Sequence, residues 1–433
     1  MVGTGIFATT GFLAGDLGSP SLVIGIWFVG AILAVVGALC YSELGINFPR
    51  SGGEYVYLRE AFGPTWGFID GCVSFLAGFS APIAIASIAI AAYLAHFDPA
   101  LDPLKPQTVI DLGIVQLQLG AGQLIACGVV LALSLLNVLN VSKVGQFQNF
   151  FTAAKLVVLA LFLVLGFSIG DGDWGNFSLV AERTSSSAIP IQFAVSLVFV
   201  YLGYSGWNAA VYVAEEIRDP RRTLPLALLG GTFVVTIFYA LLNLLYIYAT
   251  PLEEMKGVVA VGSQAANRLF GPSMAGMFSA AMAFSLLATV NAMCLIGPRV
   301  YYAMARDGAF FSAAAKLHPK WKSPWVSVLM QGACCCLLII TGTFDALIYY
   351  IGFMLSLFTA LSVLALYKFR RRSDWQKTAA VSFAYPLLPV IYVVTNMAIF
   401  CFFVTERVQD AVFAALTVGI AALLYRMRAK TPA

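Results

Sequence analysis

The sequence predicts an all-α integral membrane protein with about twelve spans, and three observations support this fold class. The 433 residues are 60% hydrophobic and only 11% charged, with a mean hydropathy of +0.87. Soluble domains carry about 25% charged residues, so this chain lacks the polar side chains that a water-facing surface needs. Apolar stretches long enough to cross a bilayer recur along the whole chain, and the basic residues fall mainly in alternate loops.

The candidate spans are apolar stretches separated by polar or turn-forming residues such as those at 47–50 and 170–173. Each must be a helix, because unpaired backbone N–H and C=O groups cannot face lipid. The stretches cover residues 1–15, 20–47, 66–96, 119–140, 145–169, 189–214, 225–249, 273–304, 325–343, 345–368, 380–404 and 409–426. The first is conspicuously short, which predicts a truncated first span. The chain 1–433 is treated as a single domain.

The distribution of Lys and Arg predicts the orientation of the chain. One set of alternate loops holds most of them, whereas the other set holds only Lys105, Arg183, Lys256, Arg268 and Arg407. Cytoplasmic loops carry an excess of basic residues. The rich side, which includes the C-terminus, is therefore predicted to be cytoplasmic and the protein to be a multi-pass protein of the cell membrane. A nucleic-acid-binding surface would not alternate strictly with apolar spans, so no nucleic-acid partner is predicted.

Metal and cofactor chemistry have little support in the sequence. The two His and eight Cys are scattered without ligand spacing, and no CxxC or HExxH pattern occurs. A membrane enzyme would need catalytic groups clustered within the spans, and these are not found. We therefore predict no catalytic residue, no metal and no cofactor. A purely sensory or scaffolding role stays open at this stage.

Two glycine clusters interrupt apolar segments at corresponding places. The first is Gly3-Thr4-Gly5-Ile6-Phe7 in the first span, and the second runs from Gly203 to Asn208 in the sixth. If spans one to five and six to ten are inverted repeats, each cluster opens its repeat. Such paired interruptions point to a binding site at the membrane midplane. The alternative is that the glycines only allow close helix packing.

Unwound helices suit a zwitterionic ligand. Free N–H groups at the positive end of a half-helix attract a carboxylate. Free carbonyl groups at the end of another half-helix attract an ammonium group. An α-amino acid carries both groups a short distance apart, so one pair of interrupted helices can hold its common backbone.

Lys155 is predicted to lie deep inside the fifth span. It follows the start of that span by roughly ten residues, which places it about 15 Å into the hydrocarbon layer. An ammonium group at that depth must meet acceptors or release its proton. Snorkelling to the interface does not comfortably cover the distance. We predict a tether to unwound carbonyl groups of the first span, with a proton carrier as the alternative.

Acidic and aromatic residues near the span ends have less specific interpretations. Glu43 is predicted to be a structural carboxylate near the cytoplasmic edge, within reach of partners such as Arg50. Glu215 and Glu216 are predicted to form a charge network with the basic run 218–222, or to be a solvated loop. The aromatic residues of the tenth span are interpreted as packing residues, with a gate as the alternative; they are Tyr349, Tyr350 and Phe353.

Further motifs are distributed along nearly the whole chain. Besides the first glycine cluster they are Tyr41-Ser42-Glu43-Leu44, the run from Pro49 to Tyr55, Ala153-Ala154-Lys155-Leu156, the run from Tyr204 to Asn208, Glu215-Glu216, the run from Pro220 to Pro225 and the run from Pro298 to Gly308. Their combination resembles the amino acid–polyamine–organocation (APC) superfamily of permeases, closest to its L-type amino acid transporter branch.

The resemblance implies a LeuT-like, five-plus-five inverted-repeat fold. The repeats would cover 1–169 and 189–368, with two additional C-terminal helices at 380–426. The N–H groups of the first cluster would bind the substrate carboxylate, and carbonyl groups of the second would take its ammonium. The implied substrate-binding residues are Gly3, Thr4, Gly5, Ile6, Tyr201, Leu202, Gly203, Tyr204, Ser205 and Gly206. Lys155 would occupy the place of a sodium ion in sodium-coupled relatives, which favours exchange or proton coupling.

Three departures from the family pattern affect these expectations. Leu202 falls where relatives often carry an aromatic gating residue. The chain as written lacks most of the first half-helix, which puts its transport competence in question. The 97–118 loop has no cysteine, so no disulfide-linked glycoprotein subunit is expected.

The sequence thus predicts secondary active transport of amino acids by alternating access, as an exchanger or a proton symporter. No Asp or Glu was found near the two clusters to pair with a cationic side chain, and this favours neutral substrates. The alternative is a polyamine or other organic amine transporter on the same fold.

Overall fold

A computed structural model describes residues 1–112, 116–139 and 141–429. In this part of the chain ten helices are long and apolar enough to cross a membrane. The predicted all-α membrane fold is therefore confirmed, whereas the count of twelve spans and the inverted-repeat layout remain predictions. One further apolar helix, Trp325–Thr341, has 17 residues. The predicted first span is a pair of short helices.

The helices of the first part of the chain are α1 (Thr4–Ala8), α2 (Thr10–Leu17), α3 (Pro20–Asn47), α4 (Glu54–Phe62), α5 (Pro64–Val73), α6 (Ala81–Leu94), α7 (Ala121–Val138) and α8 (Val141–Ser168). A π-helical segment, Ser74–Ser80, joins α5 to α6 so that they form one span. Two short antiparallel strands, β1 (Thr108–Asp111) and β2 (Gln116–Leu119), pair Thr108 with Leu119 between α6 and α7.

The helices of the second part are α9 (Ile189–Tyr204), α10 (Pro220–Ala249), α11 (Leu252–Met255), α12 (Val261–Phe270), α13 (Pro272–Arg306), α14 (Trp325–Thr341), α15 (Phe344–Phe369), α16 (Ala379–Phe383), α17 (Leu387–Glu406) and α18 (Val408–Ala429). Short 3₁₀ segments cover Pro99–Leu101, Trp174–Ser178, Ala209–Glu216 and Ser312–Ala315.

Helix α9 contacts helices from both ends of the chain, namely α1, α2, α3, α15 and α17. Small residues on its neighbours allow the close approach. A Cβ atom on Gly30 of α3 would lie 2.0 Å from Val200 Cγ1, and one on Gly352 of α15 would lie 1.9 Å from Val198 Cγ2. Van der Waals packing is the main source of helix association in a bilayer. These contacts therefore fix α9 between the two halves of the chain.

Glu43 joins α3 to the segment that follows α15. Its buried carboxylate accepts hydrogen bonds from Arg370 Nε at 2.7 Å and Nη2 at 2.6 Å. Trp375 Nε1 donates to it at 2.7 Å, and the N–H and hydroxyl of Thr378 both donate at 2.9 Å. The structural role predicted for Glu43 thus agrees with these contacts, but its partner is Arg370 and not Arg50, which is exposed.

Glu215 and Glu216 pair with α13, and not with the basic run 218–222 as predicted. Arg299 donates to Glu216 from Nε at 2.7 Å and from Nη2 at 3.3 Å. Arg306 Nη1 lies 3.8 Å from Glu215 Oε1. The prediction relied on the nearest basic residues in the sequence. It was wrong because the 3₁₀ segment Ala209–Glu216 contacts α13.

Candidate functional site

A cavity of about 440 Å³ lies among the helices around the start of the chain. Its wall is formed by the segment before α1, by α4, α5 and the π-helical segment, by α8, by the chain after α9, and by α10, α13 and α15. Ligand sites in proteins commonly enclose about 300–1,000 Å³ and are mostly apolar with a few polar groups. The volume therefore suits a small organic molecule.

The structure brings the two predicted glycine clusters together. Gly5 of α1 packs directly on Gly203 of α9, so that a Cβ atom on Gly5 would lie 2.0 Å from Gly203 Cα and 2.4 Å from Gly203 N. Helix α9 ends at Tyr204, and the chain turns at Gly206, whose φ of +91° is a backbone conformation that favours glycine. The interruptions of the first and sixth segments thus meet in space.

Backbone polar groups are available at both interruptions. Helix α1 begins after Gly3 without a side-chain cap, so its first N–H groups have no acceptor within the helix. At the end of α9 each carbonyl takes one donor. Ser205 N donates to Leu202 O at 3.2 Å, and Tyr239 Oη donates to Gly203 O at 2.6 Å. A carbonyl oxygen has two lone pairs, so each can accept one more hydrogen bond.

Only some of the predicted site residues line the cavity. Lys155, Ser205 and Gly206 line the cavity. The wall does not include Gly3, Thr4, Gly5 and Ile6 of the first cluster, nor Tyr201, Leu202, Gly203 and Tyr204 of the second. Ser205 and Gly206 therefore lie at the cavity surface, whereas the remaining residues of the two clusters do not.

Lys155 is tied to the chain just before α1. The side chain is only 6% exposed, and its Nζ atom donates to Val2 O at 2.6 Å and to Thr289 Oγ1 at 2.8 Å. Thr289 Oγ1 also donates to Val2 O at 2.9 Å. The contact with a carbonyl group at the first interruption is the one that the tether interpretation requires.

Thr289 was not identified from the sequence, and it leads to a test of the tether. Replacing it with valine removes one acceptor from a buried ammonium group, which costs about 1–3 kcal/mol. We expect Thr289→Val to slow the transport that the sequence predicts about tenfold or more, since 1.4 kcal/mol corresponds to a factor of ten. Thr289→Ser keeps the hydroxyl and is the matched control. Equal initial uptake rates for the two variants in proteoliposomes would contradict the role of the hydroxyl.

Two acidic residues also lie in the wall of the cavity, contrary to the expectation that none would be near. Glu54 of α4 accepts hydrogen bonds from Tyr41 Oη at 2.7 Å and from Asn208 Nδ2 at 3.0 Å. Asp70 of α5 lines the same cavity. The sequence did contain a signal, because Asp70 falls inside a predicted apolar span, where a carboxyl group is costly and usually functional. Glu54 belongs to the motif from Pro49 to Tyr55.

Aromatic rings pack against one another beyond the interruptions, toward the loops that are poor in Lys and Arg. Phe12 of α2 stacks on Phe199 of α9, with centroids 5.4 Å apart, and on Phe344 at 5.9 Å. Tyr349 packs against Phe199 at 5.8 Å, and Arg407 lies over its ring at 4.1 Å. Of the aromatic residues singled out in the tenth predicted span, Tyr349 thus belongs to this cluster of rings.

The other two aromatic residues of that span pack elsewhere. Tyr350 Oη lies 3.1 Å from Thr417 Oγ1 of α18, and Phe353 packs on Phe400 of α17 with centroids 4.5 Å apart. Both therefore have the packing role that the sequence predicted for the group.

The chain is similar in sequence to known proteins over most of its length. Residues 1–423 match the family described as amino acid permease. The mouse b(0,+)-type amino acid transporter 1 is 30% identical over 397 residues, which cover 90% of this chain and 77% of that protein. The human protein of the same name is 29% identical over 393 residues, with the same coverage. The mouse large neutral amino acids transporter small subunit 2 is 29% identical over 399 residues, covering 90% of this chain and 72% of its own.

Proposed function

We propose that this chain carries neutral amino acids by alternating access. The premise is that the chain belongs to the amino acid permease family and is a multi-pass amino acid transporter, not an enzyme. The observation on which this proposal depends is the contact of Gly5 with Gly203 beside the cavity that Lys155, Ser205 and Gly206 line. Two interrupted helices at one cavity supply both kinds of backbone group that an amino acid needs.

The substrate carboxylate would lie at the start of α1, because N–H groups without acceptors and the positive end of a helix favour an anion there. The ammonium would lie at the end of α9, where carbonyl groups retain a lone pair. These contacts recognise only the part that all α-amino acids share. The side chain of the substrate would point into the cavity, whose wall includes the apolar residues Val235, Ile296 and Phe358.

A neutral substrate fits the charges of the wall. Lys155 already donates to Val2 O and Thr289 Oγ1, and Glu54 already accepts from Tyr41 and Asn208. Neither group is therefore free to pair with a charged substrate side chain without losing these bonds. Asp70, the other acidic residue of the wall, is only 1% exposed and attracts no cation when it is protonated. The expectation of a neutral substrate drawn from the sequence assumed that no acidic residue lay near the clusters, and the positions of Glu54 and Asp70 contradict that assumption.

We place the basic end of the bundle in the cytoplasm of a cell, with the protein in the cell membrane and the C-terminus inside. The excess of Lys and Arg on that side supports this orientation. The aromatic closure formed by Phe12, Phe199, Phe344 and Tyr349 then faces outward. Alternating access would open this closure and shut the opposite side. We further propose that the chain works without a disulfide-linked subunit, since residues 97–118 contain no cysteine.

Counterflow tests the proposal. The purified chain alone is reconstituted into proteoliposomes loaded with unlabelled leucine, and initial uptake of labelled leucine is compared with that of empty vesicles. We expect loaded vesicles to take up label faster, and excess alanine to compete better than excess arginine or putrescine. Competition by putrescine alone would show an amine transporter instead. Equal uptake by loaded and empty vesicles, with every amino acid tried, would reject exchange of amino acids.

A further inference from the structure

Asp70 is buried in the cavity wall without a partner. Its side chain is 1% exposed, and neither carboxyl oxygen has a hydrogen-bond partner among the residues that the structure describes. The residue lies on α5, near the basic end of the span that α5 and α6 form. A carboxylate buried without donors or a cation is strongly disfavoured. The transport site described above does not account for this group.

Glu54 is the acidic neighbour of Asp70, on the helix before it. The two groups line the same cavity and interact electrostatically. Burial raises the pKa of Glu54, whereas hydrogen bonds from Tyr41, Asn208 and Tyr212 oppose that rise by stabilising its charged form. Asp70 has no such donor. Of two buried carboxyl groups that interact, the group without donors is the one that retains a proton.

Positive groups near Asp70 are already paired. Arg59, on α4 beside α5, binds Asp307 and Glu60. Across the cavity, Lys155 is held by Val2 O and Thr289 Oγ1. Within the described residues no Lys or Arg forms an ion pair with Asp70.

The other elements around α5 present uncharged groups toward it. Two titratable groups interact electrostatically with Asp70. They are Tyr212, from the 3₁₀ segment after α9, and Cys72, on α5 itself. Helix α13 places Met304 against Gly71, and α18 packs Tyr425 on Phe68. The surroundings of Asp70 therefore supply one negative neighbour, Glu54, and no counter-ion among the described contacts.

The backbone next to Asp70 departs from regular α-helix. The π-helical segment Ser74–Ser80 begins four residues later, and three of its residues, Ser74, Gly78 and Phe79, line the same cavity. Such π-turns are frequent at functional sites. The irregular backbone therefore borders the same cavity as Asp70.

We propose that Asp70 is a proton-binding residue of the transport cycle. It holds a proton while the wall around it is dehydrated and releases the proton when the wall opens to water. The proton moves with the substrate and the carboxylate is protonated again on the other side, so no other reactant is needed. This inference rests on the proposed function and assigns proton coupling to that same transporter. It predicts that a proton gradient drives net uptake.

The test compares the wild-type chain with Asp70→Asn, a permanently uncharged variant of nearly the same shape. In proteoliposomes with an inward proton gradient of about two pH units, we expect wild-type net uptake to rise at least about fivefold over uptake without the gradient. Asp70→Asn is expected to show no such rise over its own uptake without the gradient. Asp171→Asn, in an exposed loop, is the matched control and should behave like the wild type.

The outcomes separate the two proposals. Counterflow in the wild type without a response to the proton gradient overturns the role of Asp70 and leaves amino acid exchange intact. An Asp70→Asn chain that keeps the wild-type gradient response also overturns it. No counterflow by the wild type rejects the proposed function, and the role of Asp70 with it.

Infrared spectroscopy supplies a second readout that does not depend on transport. We expect the wild type at neutral pH to show the carbonyl band of a protonated carboxyl group, and Asp70→Asn to lack it. If the asparagine variant is not recovered from membranes, Asp70→Glu is used, which keeps the carboxyl group and should shift the band. A wild-type spectrum without this band, or a band that neither substitution alters, overturns the proposal.

Discussion

Gly5→Ala is expected to abolish counterflow while the chain still inserts into the membrane. The added Cβ atom would lie 2.0 Å from Gly203 Cα and 2.4 Å from Gly203 N, and both are backbone atoms that no rotamer change can move. Overpacking in a tight core typically costs about 1–3 kcal/mol and sometimes more. Relief here requires α1 and α9 to separate, and their separation would pull apart the backbone groups that we assign to the substrate.

The measurement is the initial rate of leucine counterflow, divided by the amount of protein recovered in the vesicles. Gly25→Ala on α3 is the matched control, because a Cβ atom at Gly25 meets nothing within 4 Å. It should transport like the wild type. A counterflow rate of Gly5→Ala within about twofold of the control would show that the two interruptions do not need close contact, since a factor of two is less than 0.5 kcal/mol.

Glu43→Gln is expected to lower the free energy of unfolding by about 3–5 kcal/mol, because removing one partner of a buried pair leaves the other charge uncompensated. The carboxylate of Glu43 is completely buried and accepts from Arg370, Trp375 and Thr378. Glutamine removes the charge and turns one oxygen into a donor that faces these donors. The guanidinium of Arg370 is itself nearly buried.

Unfolding of the detergent-solubilised protein by denaturant or heat provides the measurement. Glu216→Gln is the control, because its pair with Arg299 lies at the exposed end of the bundle and surface pairs contribute about 0–1 kcal/mol. The double variant Glu43→Gln, Arg370→Met removes both charges and should recover part of the loss. If Glu43→Gln is no less stable than Glu216→Gln, the pair does not hold α3 to the segment after α15.

The sequence could predict the kind of fold and the two places where the first and sixth apolar segments are interrupted. Backbone N–H and C=O groups find no water inside a bilayer, so each long apolar stretch of this chain must be a helix. The apolar stretches are therefore enough to predict the fold class. Glycine clusters report local backbone freedom, and Gly5 and Gly203 do meet. The tether of Lys155 was predictable in kind, because a buried ammonium group needs acceptors, and one acceptor is Val2 O beside the first cluster.

Partners distant in the chain could not be predicted. Arg370 is 327 positions from Glu43, and Thr289 is 134 positions from Lys155. An apolar span shows that a helix crosses the membrane but not how it is rotated about its axis, and rotation decides which side chains meet. For the same reason Glu54 and Asp70, on consecutive helices, were not expected to face the cavity of the glycine clusters.

The stack of Phe12 on Phe199 has a mechanical consequence. Phe12 is carried by α2, which follows directly on α1, and Phe199 lies one and a half turns before the end of α9. The rings of the proposed outer closure and the glycines of the proposed substrate site are therefore carried by the same parts of the chain, α1–α2 and α9. When the proposed alternating access opens that closure by moving these helices, the contact of Gly5 with Gly203 changes in the same movement, so the proposal links substrate release to the opening of the exit.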